Sequence, residues 1–307
     1  MRIIIAGTGG IGGYFGAKLA KAGANVTFLA RGAHLAAMQS QGLTIQSKVD
    51  GTWTLPVKAI ASLAGEAPAD IVLFCVKSYD TETMIETIRP VVGPETGVMS
   101  LQNGIGNEEK LSAAFGANRV MGAISYIFAN ITSPGVIAHH QLAKIVFGEW
   151  DRQPRDRSAR FLASCQAAGI EAVHSSDARK TLWEKYVFLT AMAGTTALAR
   201  QPAGTIQTSP EVQALFLGQL DELLALAKAE GIGLDTDMKD RCRSFLAGLA
   251  PDNYSSLYLD LAQGNRLELD ALHGYAVRLG QRLSVPTPML SAVYGGLYPY
   301  RDGNKPA

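Results

Sequence analysis

The sequence predicts an α/β chain: a doubly wound, mostly parallel sheet with helices on both faces, followed by an all-helical domain. Three observations carry that prediction. A glycine-rich turn, Gly7-Thr8-Gly9-Gly10-Ile11-Gly12, stands between an apolar run and a helical pattern near the start of the chain. Strand-length apolar runs then alternate with helical segments through the first half, as parallel sheets with crossover helices require. Beyond Ser175-Ser176-Asp177 only helical periodicity remains. At 307 residues the chain has room for two domains, and the change of pattern divides it into 1–176 and 177–307.

Ile3–Ala6 reads as the first buried strand, Gly12–Ala22 as helical, and Val26–Ala30 as the second strand. Ile71–Val76, Val98–Leu101 and Val120–Ile124 continue the series of short apolar runs. The stretch Tyr126–Glu149 differs. Ser-Pro-Gly separates β-rich flanks at Ile124–Ile127 and Lys144–Phe147, which predicts an antiparallel hairpin at the sheet edge. Ser158–Ala168 reads as a helix and Ile170–His174 as a last short strand. Helical patterns then cover Arg179–Ala199, Glu211–Glu230, Met238–Leu249, Ser256–Gln263, Glu268–Leu283 and Met289–Leu297. The polar tail from Arg301 is expected to be loose.

Composition narrows the function. A hydrophobic fraction of 47% against 18% charged residues supports a packed core and excludes a disordered chain. The net charge of +1 gives no basic footprint for nucleic acid or for a membrane surface. Cys75, Cys165 and Cys242 are odd in number and widely spaced, which argues against a disulfide framework or a thiolate metal site. Glycines interrupt the first apolar run, so it does not read as a signal peptide, and no window is apolar for long enough to span a bilayer. The expectation is a soluble, cytoplasmic protein that acts on a small molecule.

The glycine turn carries the first chemistry. In G-x-G-x-x-G between strand and helix, the first glycine permits the tight turn and the second lets the backbone approach a pyrophosphate. The third allows close helix packing, and the phosphates meet the positive end of the helix. A Rossmann-type unit selective for NAD ends its second strand in Asp or Glu, about 20 residues on. Here no acid occurs from Gly7 to Val49, and the second strand ends Leu29-Ala30-Arg31. A guanidinium at that point suits the 2′-phosphate of NADP. A solvated surface arginine is the alternative. Lys77 and Asn103 follow the carboxyl ends of later strands, so Arg31, Lys77 and Asn103 are expected to converge on one cleft. Singly, a strand-terminating lysine and a common Asn-Gly turn explain them as well.

The helical half contributes Lys185. It lies in Trp183–Ala193, a stretch apolar around most of its circumference, with Leu189, Met192, Ala193 and Thr196 on its own face. A lysine there either snorkels to solvent or does chemistry that offsets its desolvation. Burial lowers its pKa and a nearby carboxylate raises it, a balance that yields a proton donor near neutral pH. Glu268 is the carboxylate candidate and Ser256 a polar neighbour; a first-turn acid and a helix cap are their ordinary explanations.

The ordered set Gly7–Gly12, Arg31, Val76-Lys77, Asn103-Gly104-Ile105-Gly106, Leu182-Trp183-Glu184-Lys185, and Ser255-Ser256 followed by Glu268 resembles the ketopantoate reductase (2-dehydropantoate 2-reductase) family across essentially the whole chain. The resemblance implies a Rossmann domain joined to a helical domain, with NADPH in a cleft between them. It implies reduction of a 2-oxo acid, as in pantothenate biosynthesis, and is compatible with a homodimer. Lys185 then looks like the general acid and Glu268 like its partner near the cofactor. Asn103 resembles the residue that contacts cofactor and substrate, and Ser256 the one that binds substrate. The match breaks at Leu189, Ala193 and Ala203, where the family carries asparagines that face the substrate. The competing reading is an NADP-binding sensor that no longer turns over, or a reductase of a more apolar 2-oxo acid.

Other chemistries fit less well. The sequence holds neither a G-x-S-x-G elbow nor a P-loop. His34, His139, His140, His174 and His273 lack helical ligand spacing. Asp235, Asp237 and Asp240 read as the acidic start of a helix, since Leu246 stands where a calcium loop needs Glu.

Overall fold

A computed structural model describes residues 1–304. The chain forms two compact units. The first comprises Met1–Gln102 and Asn107–Thr181; the second takes Asn103–Gly106 and the chain from Leu182 onward. The division therefore falls after Thr181 rather than after Ser176, inside a helix. The short insertion goes with the second unit for a visible reason. A Cβ on Gly104 would sit 2.8 Å from the Ala271 carbonyl, and one on Gly106 2.5 Å from the Tyr275 ring.

The first unit is built on one ten-stranded sheet. Its strands are β1 (Arg2–Ala6), β2 (Asn25–Leu29), β3 (Leu43–Ser47), β4 (Gly51–Leu55), β5 (Lys58–Ile60), β6 (Ile71–Phe74), β7 (Gly97–Ser100), β8 (Val120–Ser133), β9 (Val136–Glu149) and β10 (Glu171–His174). They run in the order β4-β3-β9-β8-β7-β6-β1-β2-β5, with β10 on β9. Helices α1 (Gly10–Lys21), α2 (Gly32–Gln41), α3 (Thr81–Ile88), α4 (Asn107–Phe115) and α5 (Asp156–Ala167) complete it. The apolar run Ile3–Ala6 of β1 follows from burial on both faces. Ile3 and Ile5 enter one core with Tyr14, Phe15 and Phe28, while Ile4 and Ala6 enter another with Leu29, Val72 and Phe74.

The hairpin is antiparallel as expected, but it is not at the edge. β9 is 14 residues long, and its first part pairs with β3 while its later part pairs with β10. β3, β4 and β5 were not legible in the sequence, because all three are short and β4 and β5 are largely unburied.

The second unit is helical: α6 (Ala178–Ala199, entering from the first unit), α7 (Ala203–Thr208), α8 (Pro210–Ala229), α9 (Met238–Ala247), α10 (Ser256–Gln263), α11 (Tyr275–Leu283) and α12 (Pro288–Leu297). Ser209 caps α8 by accepting from the Val212 N–H at 3.5 Å, with Pro210 at the first helical position. The expected helix over Glu268–Leu283 opens differently, as a π-helical turn at Asp270–Gly274 ahead of α11. The tail is tied down at its start, where the Arg301 carbonyl accepts from the Leu267 N–H at 2.9 Å. Its last residues, 305–307, lie outside the described residues. Among the described residues no helix is long and apolar enough to cross a membrane.

Candidate active site

In the first unit, the glycine-rich loop closes the turn from β1 into α1. Gly7 sits at φ +102°, and a Cβ there would come within 2.7 Å of Val76 Cγ1 and 2.9 Å of the Val76 nitrogen. Only glycine fits. Thr8 turns inward and donates its hydroxyl to the Leu29 carbonyl at 2.9 Å, which fastens the loop to the end of β2. Gly9 is the N-cap of α1, without a side-chain cap, and a Cβ there would meet nothing within 4 Å. Gly10 presses on the Ala129 carbonyl, and Gly12 on Ile5 and the Gly7 carbonyl, so helix and strands meet without side chains between them. Ile11 is partly buried at the same turn. An open helix start with no side chain over it fits a dinucleotide pyrophosphate.

Arg31 follows β2 in extended backbone (φ −142°), with its side chain 93% exposed. Lys77 is exposed shortly after β6. β2 and β6 flank β1 on either side, both parallel to it, so Arg31, the loop and Lys77 share one carboxyl edge of the sheet. That is the edge where open α/β sheets bind ligands. One finding corrects the reading of Arg31 as remote from any acid. Folding brings Asp80 Oδ2 to 3.8 Å from Arg31 Nη2. Asp80 arrives from the turn after β6, far outside the window in which a spacing rule looks.

Asn103, Lys185, Ser256 and Glu268 belong to the second unit. Lys185, partly buried on α6, donates from Nζ to Asn103 Oδ1 at 3.2 Å. Burial pushes the Lys185 ammonium down to about 8, and the charge of Glu268 opposes that fall. Glu268 is buried just before the π-helical turn, and its carbonyl accepts the N–H groups of Ala271 and Leu272, both at 3.2 Å. It is not an exposed first-turn acid.

The neighbouring serines divide their tasks. Ser255 is the helix cap: its Oγ accepts from the Tyr258 N–H at 3.1 Å and lies 2.7 Å from Thr196 Oγ1. Ser256 occupies the first position of α10, exposed, and does no capping.

The three positions expected to face a substrate separate on inspection. Leu189 is partly exposed one turn beyond Lys185. Ala193 is 1% exposed and Ala203 0%, the latter donating its N–H to the Asn253 carbonyl at 2.8 Å. Their methyl groups are sealed by neighbouring packing, so of the three only Leu189 presents an apolar surface.

A further polar network was not legible. His273, on the π-helical turn, pairs its Nε2 with Gln219 Oε1 at 3.0 Å, and Gln219 Nε2 donates to Thr195 Oγ1 at 2.9 Å. Burial pushes His273 down to about 3, so it is neutral and tethers the turn to α6. Among the described residues no group of three His, Cys, Asp or Glu side chains could hold a metal ion.

Comparison with known proteins matches both halves. Residues 3–152 fit the profile of ketopantoate reductase PanE/ApbA, and residues 177–299 that of its C-terminal region. The uncharacterized oxidoreductase YkpB of Bacillus subtilis is 29% identical, covering 98% of this chain and 99% of its own. The 2-dehydropantoate 2-reductase of Mesorhizobium japonicum is also 29% identical, covering 95% of each chain. The crystal structure of a Geobacter metallireducens 2-dehydropantoate 2-reductase superposes with a TM-score of 0.91 at 30% identity, covering 97% of this chain and 99% of the other.

Proposed function

The chain belongs to the ketopantoate reductase family, and from that premise we propose that it reduces a 2-oxo acid to the 2-hydroxy acid with NADPH, using Lys185 as the general acid. The family is one of oxidoreductases, and so is this enzyme. The observation that carries the proposal is the Lys185 ammonium. It is held at 3.2 Å by Asn103 and brought to about 8 by burial against the charge of Glu268.

The nicotinamide, when bound, supplies the hydride to the carbonyl carbon. The chain's own residues handle the proton and the charge. At pH 7 Lys185 keeps its proton, yet holds it loosely enough to release it as the carbonyl oxygen becomes basic. Before that transfer the ammonium stabilises the negative charge developing on the oxygen. Asn103 Oδ1 accepts a hydrogen bond from the ammonium, which aims Nζ. Glu268 keeps the ammonium from losing its proton to desolvation. Ser256 offers its exposed hydroxyl to a polar end of the substrate.

Gly7, Thr8, Gly9, Gly10, Ile11 and Gly12 would hold the pyrophosphate, with Lys77 on the same edge and Arg31 on the 2′-phosphate. Leu189, in place of the family's asparagine, favours a 2-oxo acid with a hydrocarbon or aromatic side chain over ketopantoate. The test is NADPH consumption against a panel of 2-oxo acids that includes ketopantoate. Turnover is expected, with a less polar acid ahead of ketopantoate. Tight NADPH binding with no turnover of any of them would leave a sensor instead.

A further inference from the structure

We propose that Asp80 is a cofactor-selectivity residue that sets how strongly the enzyme prefers NADPH to NADH. The inference rests on the cofactor reading above. A Rossmann-type unit selective for NAD places a carboxylate at the end of its second strand, where it accepts a hydrogen bond from the ribose 2′-hydroxyl. Here that strand end carries Arg31, and the sequence supplies no acid near it. The fold supplies one from the other side of the glycine loop. β6, the opposite neighbour of β1, runs on through Lys77 into the short turn Ser78–Asp80 and delivers the Asp80 carboxylate to 3.8 Å from the Arg31 guanidinium. An arginine for a 2′-phosphate and an acid for a 2′-hydroxyl therefore stand side by side.

The conformation of Asp80 supports this assignment. Asp80 ends the short turn Ser78–Asp80 and runs directly into α3 (φ −102°, ψ 6°), so its carboxylate is not engaged in capping the helix. It lies toward Arg31. The pair does not explain itself as a fold staple. The two side chains are 93% and 39% exposed, and an ion pair that open contributes little to stability. Its consequence falls on a ligand. Asp80 repels the 2′-phosphate that Arg31 attracts, and offers an acceptor to the 2′-hydroxyl that only NADH has.

Dissociation constants for NADPH and NADH, measured by nucleotide fluorescence on the whole protein, test this in wild type, Asp80→Asn and Arg31→Ala. Asparagine removes the charge at nearly constant size, and no capping bond is lost. Asp80→Asn is expected to tighten NADPH about three- to ten-fold, the scale of one water-screened charge pair. NADH should weaken or hold within about two-fold, and the NADPH gain should shrink in high salt. Arg31→Ala should weaken NADPH and leave NADH nearly unchanged. If Asp80→Asn moves both cofactors equally, or neither, Asp80 is not a selectivity residue. If wild type binds neither cofactor, the cofactor reading fails, and this inference with it.

Discussion

Replacing Glu268 with glutamine tests the proton donor more sharply than deleting the lysine does. Lys185 sits near 8 because desolvation lowers it from 10.5 while Glu268 holds it up. Without that charge only the lowering remains, so the value must fall; an opposite charge close by is worth about one pH unit or more. With the lysine at 8, roughly nine-tenths of it is protonated at pH 7; at 7, about half. The loss of kcat/KM through protonation alone is then only about two-fold at pH 7. It grows to about eight-fold at pH 8.5, where the protonated fractions are roughly one quarter and one thirtieth. The assay is a kcat/KM profile from about pH 6 to 9.5 on the best substrate of the panel, for wild type and Glu268→Gln. The alkaline limb of the variant should lie about one pH unit lower. Limbs that bend at the same pH would refute the reasoning, because a glutamate that merely packs or holds substrate would scale the whole profile by one factor.

Lys185→Met should lower kcat by about 10²–10⁴-fold and leave NADPH affinity nearly intact. It should also stabilise the fold, since below pH 8 both states are protonated and the native state bears the full cost of a desolvated charge. Between 8 and 10.5 the native lysine loses its proton first, so that cost fades as pH rises. Thermal unfolding should therefore show a gain of about 2–5 °C at pH 7 that closes by about pH 10; a lower Tm at pH 7 would mean that the ammonium stabilises the fold. Leu189→Asn should raise kcat/KM for ketopantoate about two- to twelve-fold, the worth of one hydrogen bond, and lower it for apolar acids. If steady-state rates on both substrates are unmoved, Leu189 does not line the substrate's place.

The fold was legible wherever the signal is local. Ile3–Ala6 declares its burial on both faces by being apolar throughout, and the glycines declare the turn, because a Cβ at Gly7 would strike Val76. Ser256–Gln263 was readable to the residue, between a serine start and a glycine C-cap in the left-handed region (φ +73°). Elements held only by distant neighbours were not legible. β5 is three residues on the rim of β2, and the hairpin reads as an edge until β3 arrives from far upstream to pair with Val136–His139.

The site follows the same division, with a consequence for its chemistry. Gly7–Gly12, Arg31 and Lys185 stand out as candidates in the sequence because each violates a local expectation: too many glycines, a basic residue where an acid belongs, a charge on an apolar helix. Asp80 and the Gln219–His273 tether violate nothing in the sequence, since an aspartate at a helix start and a histidine in a helical stretch are ordinary. Only their placement makes them matter. The serine pair shows the converse. A serine opening a helix reads as its cap, and folding gives that task to Ser255, where Thr196 also meets it. Ser256 is thereby released to face outward. The asparagine replacements separate on the same ground: one sequence shows three losses, but burial closes two of them behind Ala193 and Ala203. The proposed preference for a less polar 2-oxo acid therefore rests on Leu189, and Leu189→Asn is the substitution that tests it.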